Sequence, residues 1–280
     1  MSPHSFSRRS FLTACAASLA LRASNKQIPI GLELYSVRNA LSQDLSGTVQ
    51  QVAHMGYRCV EFFAPYYSWT PDYAKQVRQQ LDSLGLKCYS THNGMVSFSS
   101  QGMDKAMELN KILGTRFIVL ASAGRIDSLD GWKHVAGVLN EANRAMEKEG
   151  FHAGYHNHEL EWRPINGERP MDVLAANTDK SVMLQLDVGT CVAAGADPVA
   201  WVNQNPGRIR SMHLKEWSPQ KGYRVLFNEG VVPWKQLFEA AERTGGAEYY
   251  LIEQEGSDYP ELEAVDRCLI AYRNLRGLRA

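Results

Sequence analysis

Two adjoining stretches decide the fold: IPIGLELYSV, residues 28–37, and LSGTVQQVAHMG, residues 45–56. The first is an apolar run, which predicts a buried β-strand. The second has apolar residues at helical spacing and ends in glycine, which predicts a helix. Parallel strands need a long crossover connection, usually a helix. How often this strand–helix unit recurs therefore decides the architecture.

The unit recurs along the whole chain. Eight predicted strands begin near residues 28, 57, 86, 115, 151, 182, 208 and 248, and an amphipathic stretch follows each of them. Eight such units predict an α/β fold, a (β/α)₈ TIM barrel. A doubly wound open sheet is the alternative, but it needs a glycine-rich turn after the first strand, and residues 34–44 read LYSVRNALSQD.

No linker-like composition interrupts residues 28–280, so we expect one barrel domain over residues 26–280. The longest gap between predicted strands contains KEWSPQKGYRVLFNEGVVPW, residues 215–234. We expect this segment to form an extended loop at the active site.

The N-terminal stretch SRRSFLTACAASLALRAS, residues 7–24, has the features of an export signal. Arg8 and Arg9 precede a short apolar run, which predicts a twin-arginine signal peptide over residues 1–25 and a periplasmic or exported protein. The run is too short for a stable membrane span, so we expect none in the mature chain. A disordered tail and a lipoprotein box ending at Cys15 stay open.

Composition and charge narrow the function classes. The chain is 44% hydrophobic and 21% charged, with 30 basic and 30 acidic residues, which is typical of a globular protein. A zero net charge argues against a nucleic-acid partner bound by a broad basic face. No CxxC spacing occurs, which excludes zinc-ribbon and thioredoxin sites. Buried thiols are the expected state of four cysteines, with two disulfides as the alternative: Cys59, Cys88, Cys191 and Cys268.

The predicted strands end in polar residues. Chemistry in a (β/α)₈ barrel lies at the C-terminal ends of the strands, and seven of the eight end in ionisable or phenolic groups. Among these, Asp187, His213 and Glu253 each close an apolar strand. Carboxylate oxygens with an imidazole nitrogen suit Mn²⁺, Zn²⁺, Co²⁺ or Mg²⁺. We therefore expect one bound divalent metal ion.

Six motifs carry a family resemblance over residues 28–278. They are GLELYSVR (31–38), GYRCVEFF (56–63), GYHNHELEW (154–162), LDVGTCVAAGADP (186–198), RIRSMHLKEW (208–217) and YLIEQE (250–255). With them the chain resembles the sugar phosphate isomerase/epimerase superfamily of xylose-isomerase-like barrels, the AP endonuclease 2 family. That superfamily also contains inosose dehydratases, ketose 3-epimerases, hydroxypyruvate isomerases and endonuclease IV.

The resemblance implies a metal site with one departure. The family binds its metal through Glu, Asp, His and Glu on strands five to eight, and Asp187, His213 and Glu253 match the last three. The first position falls on His156 instead of Glu, which puts the two-glutamate proton relay of the family's epimerases in doubt. Glu159, just past the strand, is the alternative fourth ligand.

Other residues at the mouth receive roles from position and resemblance. The catalytic candidates are Glu253 as ligand and base, Lys215 and His92 for charge stabilisation or proton transfer, and Glu61 for orienting a hydroxyl. The candidates for substrate binding are His158, Tyr35 and Trp217.

The resemblance also implies the chemistry. It predicts metal-assisted proton removal beside a carbonyl, with a stabilised enediolate, in an isomerase or epimerase of a sugar or keto-sugar. A dehydratase or lyase of a keto-sugar, inosose or keto-glycoside is the alternative, and a non-catalytic sugar-binding barrel is the alternative of another class. The expected partner is a small sugar or polyol, and a homo-oligomer stays open. An endonuclease IV-like nuclease is disfavoured by the neutral charge.

Overall fold

The computed structural model describes residues 27–278 and shows a closed parallel barrel. Each strand pairs with the next, and β8 pairs with β1, which confirms the (β/α)₈ prediction and excludes the open sheet. The strands are β1 Ile30–Glu33, β2 Cys59–Phe62, β3 Lys87–Asn93, β4 Phe117–Leu120, β5 His152–His156, β6 Met183–Asp187, β7 Ser211–Leu214 and β8 Tyr249–Ile252.

The helices follow the predicted stretches closely, with two short additions. These additions, α1 and α7, come soon after β1 and directly after β6. The helices are α1 Arg38–Gln43, α2 Leu45–Met55, α3 Pro71–Ser83, α4 Met103–Leu113, α5 Leu129–Glu147, α6 Pro170–Asn177, α7 Val188–Ala193, α8 Pro198–Gln204, α9 Trp234–Ala240 and α10 Glu261–Arg276.

The first strand is shorter than its apolar run. The run predicts a strand over residues 28–37, yet β1 ends at Glu33. The Glu33 carboxylate accepts the Tyr35 backbone N–H at 3.2 Å, and a 3₁₀ turn, Leu34–Val37, begins there. A side chain that satisfies a nearby backbone donor competes with the sheet ladder, so the strand stops at its first buried acid.

Alternation along the strands separates two apolar layers. On β6, Leu184 and Leu186 pack in the main core with the helices, whereas Met183 belongs to a small cluster inside the barrel. Side chains two positions apart lie on the same face of a strand. Gln185 and Asp187 therefore continue the inward row of Met183 toward the mouth. The inner cluster consists of Cys59, Phe117, Val119, Met183, Tyr249 and Leu251.

The segment between β7 and α9 is an extended loop, as predicted. Its first buried acid, Glu216, accepts four hydrogen bonds, from the backbone N–H groups of Trp217, Asn228 and Val232 and from the indole Nε1–H of Trp234, at 2.6–3.2 Å. Buried backbone donors need such partners where no ladder supplies them. One carboxylate thus organises a loop beside the mouth.

The other predictions concern the cysteines, membrane-spanning helices and the N-terminal segment. Cys59, Cys88, Cys191 and Cys268 are buried free thiols, so the disulfide alternative is wrong for these four. Between residues 27 and 278, no helix has the length and apolar character needed to cross a membrane. The predicted signal peptide and the lipoprotein box at Cys15 lie outside the described residues.

Candidate active site

The four residues predicted to bind metal lie together at the mouth. His156 ends β5, Asp187 ends β6, His213 lies in β7 and Glu253 directly follows β8, and all four are buried. His156, Asp187 and Glu253 each place one ligand atom within 4.8 Å of the others. His213 joins them through Nδ1, which is 2.6 Å from Glu253 Oε2.

Asp187 is held rigidly by its surroundings. Its Oδ1 caps α7 by accepting the Thr190 backbone N–H at 2.9 Å. The Asn157 side chain accepts the Asp187 N–H at 3.0 Å and donates to its carbonyl at 3.1 Å. These contacts leave Oδ2 directed at the cluster, where Lys215 and His156 approach it.

Three imidazoles face one another across the mouth. The ring centroids of His92 and His156 are 4.6 Å apart, those of His156 and His213 are 4.5 Å apart, and those of His92 and His213 are 5.0 Å apart. His92, predicted for charge stabilisation or proton transfer, is therefore in direct contact with two predicted metal ligands.

The donor set fits a divalent metal ion. His156 Nδ1 is buried and has no hydrogen-bond partner among the described residues, and His156 Nε2 is 3.8 Å from Asp187 Oδ2. Burial and the neighbouring His213 and His92 lower the pKa of His156 well below its usual range, so its ring is neutral, as a metal ligand must be. Imidazole nitrogens with carboxylate oxygens suit Zn²⁺ and Mn²⁺.

Lys215 is a buried cation among three carboxylates. Its Nζ lies 3.2 Å from Asp187 Oδ2, 3.4 Å from Glu253 Oε1 and 2.5 Å from Glu255 Oε1. Burial alone would lower the pKa of Lys215, but the carboxylates outweigh it and raise that pKa well above its usual range. Lys215 therefore carries a permanent positive charge at the mouth.

His213 links two carboxylates. Its Nδ1 contacts Glu253 at 2.6 Å, and its Nε2 contacts Glu61 Oε2 at 2.7 Å. Burial disfavours the imidazolium, but Glu253 and Glu61 raise the pKa of His213 to about 10. Burial likewise opposes ionisation of Glu61, yet His92 and His213 lower the pKa of Glu61 to about 2. Glu61, predicted to orient a hydroxyl, is fully buried and contacts both histidines.

Gln185 was not predicted, although it orients two of the candidates. Its Nε2 donates to Glu61 Oε1 at 3.0 Å, and its Oε1 lies 2.8 Å from His92 Nε2. Because the Glu61 carboxylate can only accept, the amide oxygen faces His92 and accepts its Nε2–H. A reading of MLQLD at strand periodicity would have placed Gln185 on the same face as Asp187.

Glu33 ends β1 and lies beside Glu61. Its Oε2 is buried without a hydrogen-bond partner among the described residues. Burial and the adjacent Glu61 raise the pKa of Glu33 well above its usual range. Two acids in contact away from water cannot both be ionised cheaply without a cation between them.

The predicted substrate-binding residues lie on the loops above this layer. His158 is half-buried, and its ring centroid is 5.1 Å from that of His156. Tyr35 is 38% exposed and packs edge-on against Phe63, with ring centroids 5.3 Å apart. Trp217 is half-buried. These positions allow substrate contact at the rim.

Glu159, the alternative fourth ligand, does not join the cluster. It follows the end of β5, and its carboxylate accepts the Tyr223 hydroxyl at 2.6 Å and pairs with Arg163 at 2.7 Å. Tyr223 and Arg163 hold Glu159 outside the groups of candidate metal ligands. The structure therefore favours His156 at this position.

Comparisons with known proteins support the fold and identify a family. The family model for the xylose isomerase-like TIM barrel matches residues 49–272. A sugar phosphate isomerase/epimerase from Parabacteroides distasonis superposes with a TM-score of 0.76 at 25% identity, covering 92% of this chain and 98% of that one. An IOLI protein with a binding zinc atom superposes with a TM-score of 0.69 at 16% identity, covering 89% and 98%, which is a likeness of fold alone.

The curated relatives are inosose dehydratases. One from Geobacillus thermodenitrificans is 25% identical over 164 residues, which are 52% of this chain and 54% of that protein. The chain thus matches about half, or less, of the length of these relatives.

Proposed function

Because this chain belongs to the family of xylose isomerase-like TIM barrels, we propose that it is a divalent-metal-dependent isomerase or epimerase of a sugar or keto-sugar. One observation carries the proposal: buried ligand atoms of His156, Asp187 and Glu253 lie within 4.8 Å of one another, His213 contacts Glu253, and His156 Nδ1 has no hydrogen-bond partner among the described residues. These residues lie at the C-terminal mouth of the barrel, which is where barrel enzymes have their active sites.

We assign metal binding to His156, Asp187, His213 and Glu253. A divalent ion held there supplies Lewis-acid stabilisation of the negative charge that develops on substrate oxygens when a proton leaves the neighbouring carbon. The zinc of the IOLI protein supports the presence of a metal.

Lys215 adds fixed positive charge beside these ligands. Its Nζ already contacts two of them, Asp187 and Glu253, so the charge is in place before substrate binds. Preorganised charge of this kind stabilises a developing oxyanion without reorganisation during the reaction. The assignment of Lys215 to charge stabilisation follows from its raised pKa, which prevents it from acting as a base near neutral pH.

Glu255 is the group that we assign to proton transfer. Its side chain is 37% exposed at the mouth and hydrogen-bonds to Lys215. Burial raises the pKa of Glu255, which brings it toward the range useful for a general acid or base. Glu253, the base predicted from the sequence, is instead held by Lys215 and His213, which lower its pKa and suit it to a ligand role.

Elimination is the second candidate, and two observations favour it. The curated relatives are inosose dehydratases, and His156 stands where the family's first glutamate is expected. Return of the abstracted proton gives an isomerase or epimerase. Protonation of a leaving hydroxyl, for which Glu255 is also placed, gives a dehydratase or lyase.

Export through the twin-arginine pathway is part of the proposal. Its basis is Arg8 and Arg9 with the apolar run that follows them. An exported enzyme would act on a free sugar or glycoside derivative, since phosphorylated sugars are mainly intracellular metabolites.

Solvent deuterium exchange tests the proposed function. The metal-loaded protein is incubated in D₂O with a panel of keto-sugars, inososes and keto-glycosides, and products are followed by mass spectrometry. We expect deuterium in the product for an isomerase or epimerase, and loss of water for a dehydratase.

The variant Asp187→Asn is the matched control, because it keeps the side-chain shape and loses a charged ligand. We expect it to fold and to lose both signals. Sugar binding by the metal-loaded wild type without exchange or conversion would contradict the proposal and favour a sugar-binding barrel.

A further inference from the structure

A second group of metal-type ligands lies on the other arc of the barrel. Glu33 at the end of β1, Glu61 on β2 and His92 on β3 each place one ligand atom within 4.8 Å of the others. The ligands assigned above come from β5 to β8. The two groups therefore share no residue, although His213 connects them through its contact with Glu61.

The Glu33 carboxylate is the independent sign of a ligand. Glu33 is 0% exposed, its Oε1 accepts only the Tyr35 N–H at 3.2 Å, and its Oε2 has no partner in the described part of the chain. An unpaired carboxylate oxygen away from water is costly unless a cation or a proton meets it. Its nearest acidic neighbour, Glu61, makes that cost larger.

Charge at the mouth is also unbalanced. Five carboxyl groups outnumber the two cations that face them, Lys215 and the His213 imidazolium, even where Glu33, whose pKa is raised, stays protonated. The carboxylates are Glu33, Glu61, Asp187, Glu253 and Glu255.

We propose that Glu33, Glu61 and His92 form a second divalent-cation site. Two carboxylates and one imidazole suit Mn²⁺ or Zn²⁺. The site reassigns His92 from proton transfer to metal binding, and it makes Glu33 a ligand. It does not depend on which sugar the protein binds.

Metal stoichiometry tests the second site. The full chain is depleted of metal, titrated with Mn²⁺ by calorimetry, and analysed for bound metal after dialysis. We expect two ions per wild-type chain and one ion in Glu33→Gln, which keeps the shape of the side chain. Asp187→Asn should lose the other ion and keep the one at Glu33.

A second variant and a spectroscopic measurement also test the second site. If Glu33→Gln does not fold by circular dichroism, His92→Gln replaces it with the same expectation. Electron paramagnetic resonance of the Mn²⁺-loaded wild type should show magnetic coupling between neighbouring ions, and either variant should lose it.

The outcomes separate this inference from the proposed function. A single ion at saturating Mn²⁺ in the wild type, or two ions retained in Glu33→Gln, would overturn the second site. Deuterium exchange with only one ion bound would reject the second site and leave the proposed function standing. Two bound ions without deuterium exchange would support the second site and count against the proposed function.

Discussion

Replacing Lys215 with methionine probes the electrostatics of the mouth. The side chain keeps its apolar stem but loses the ammonium group, which contacts Asp187, Glu253 and Glu255 at 2.5–3.4 Å. Asp187 and Glu253 are buried, so they cannot recover these contacts from water. Removing one partner of a buried ion pair costs about 3–5 kcal/mol, and we expect Lys215→Met to lose this much free energy of unfolding in metal-free protein.

Urea unfolding in the presence of EDTA measures that loss. Glu255→Gln is the matched control, because it removes only the half-exposed contact and should cost about 0–1 kcal/mol. Adding Mn²⁺ should narrow the gap between Lys215→Met and wild type, since the ion replaces the missing positive charge. Because the pKa of Lys215 is raised in the folded state, its contribution to the free energy of unfolding is complete below the pKa of an unfolded lysine. That contribution disappears only in strong alkali.

The gap should therefore be constant between about pH 6 and pH 9. A loss below about 1 kcal/mol in metal-free protein would refute the reasoning, because it would mean that the carboxylates are stable without a cation.

Three other predictions concern separate parts of the chain. A Cβ at Gly189 would lie 2.9 Å from Lys215 Cγ and 3.0 Å from the Lys215 carbonyl oxygen, so Gly189→Ala should displace Lys215. We expect turnover at equal metal loading to fall about ten- to hundredfold. Unchanged turnover would contradict this prediction. Burial and Arg210 lower the pKa of His152, so the folded state binds fewer protons than the unfolded state and wild type should lose stability as the pH falls below about 6.5. Thermal unfolding at several pH values should show a flatter profile for His152→Gln, with activity retained, and equal profiles would be the contrary result. Replacing Arg8 and Arg9 with lysine should keep the precursor in the cytoplasm of a bacterium with a twin-arginine pathway; immunoblots of cell fractions with the wild-type distribution would argue against the signal.

Much of the mouth could be predicted because strand ends are visible in the sequence. His156, Asp187, His213 and Glu253 each end an apolar run, and a barrel brings all such ends to one face. Gln185 was missed because it lies inside an apolar run, where a polar residue carries no end signal. Strand periodicity alone would have placed it beside Asp187, but nothing in the sequence pairs it with Glu61 and His92.

Glu159 is a residue whose place the sequence left undecided. It is three positions past the family's ligand position, in a stretch dense with polar residues, so the sequence alone left it as a ligand candidate. Its position is set by a hydrogen bond from Tyr223, which lies in the loop between β7 and α9. The residues around Glu159 in the sequence do not predict this contact. A contact across 64 residues depends on how that loop packs.

The sequence by itself determined the eightfold strand–helix repeat, the barrel and the face on which polar side chains gather, because these follow from local periodicity and chain connectivity. Only the tertiary structure decided the state of each group at that face. The charge of Lys215, the orientation of His92 and the unpaired oxygen of Glu33 depend on neighbours from other strands. Burial and charge at a few ångströms set these properties, and such distances exist only once the barrel has closed.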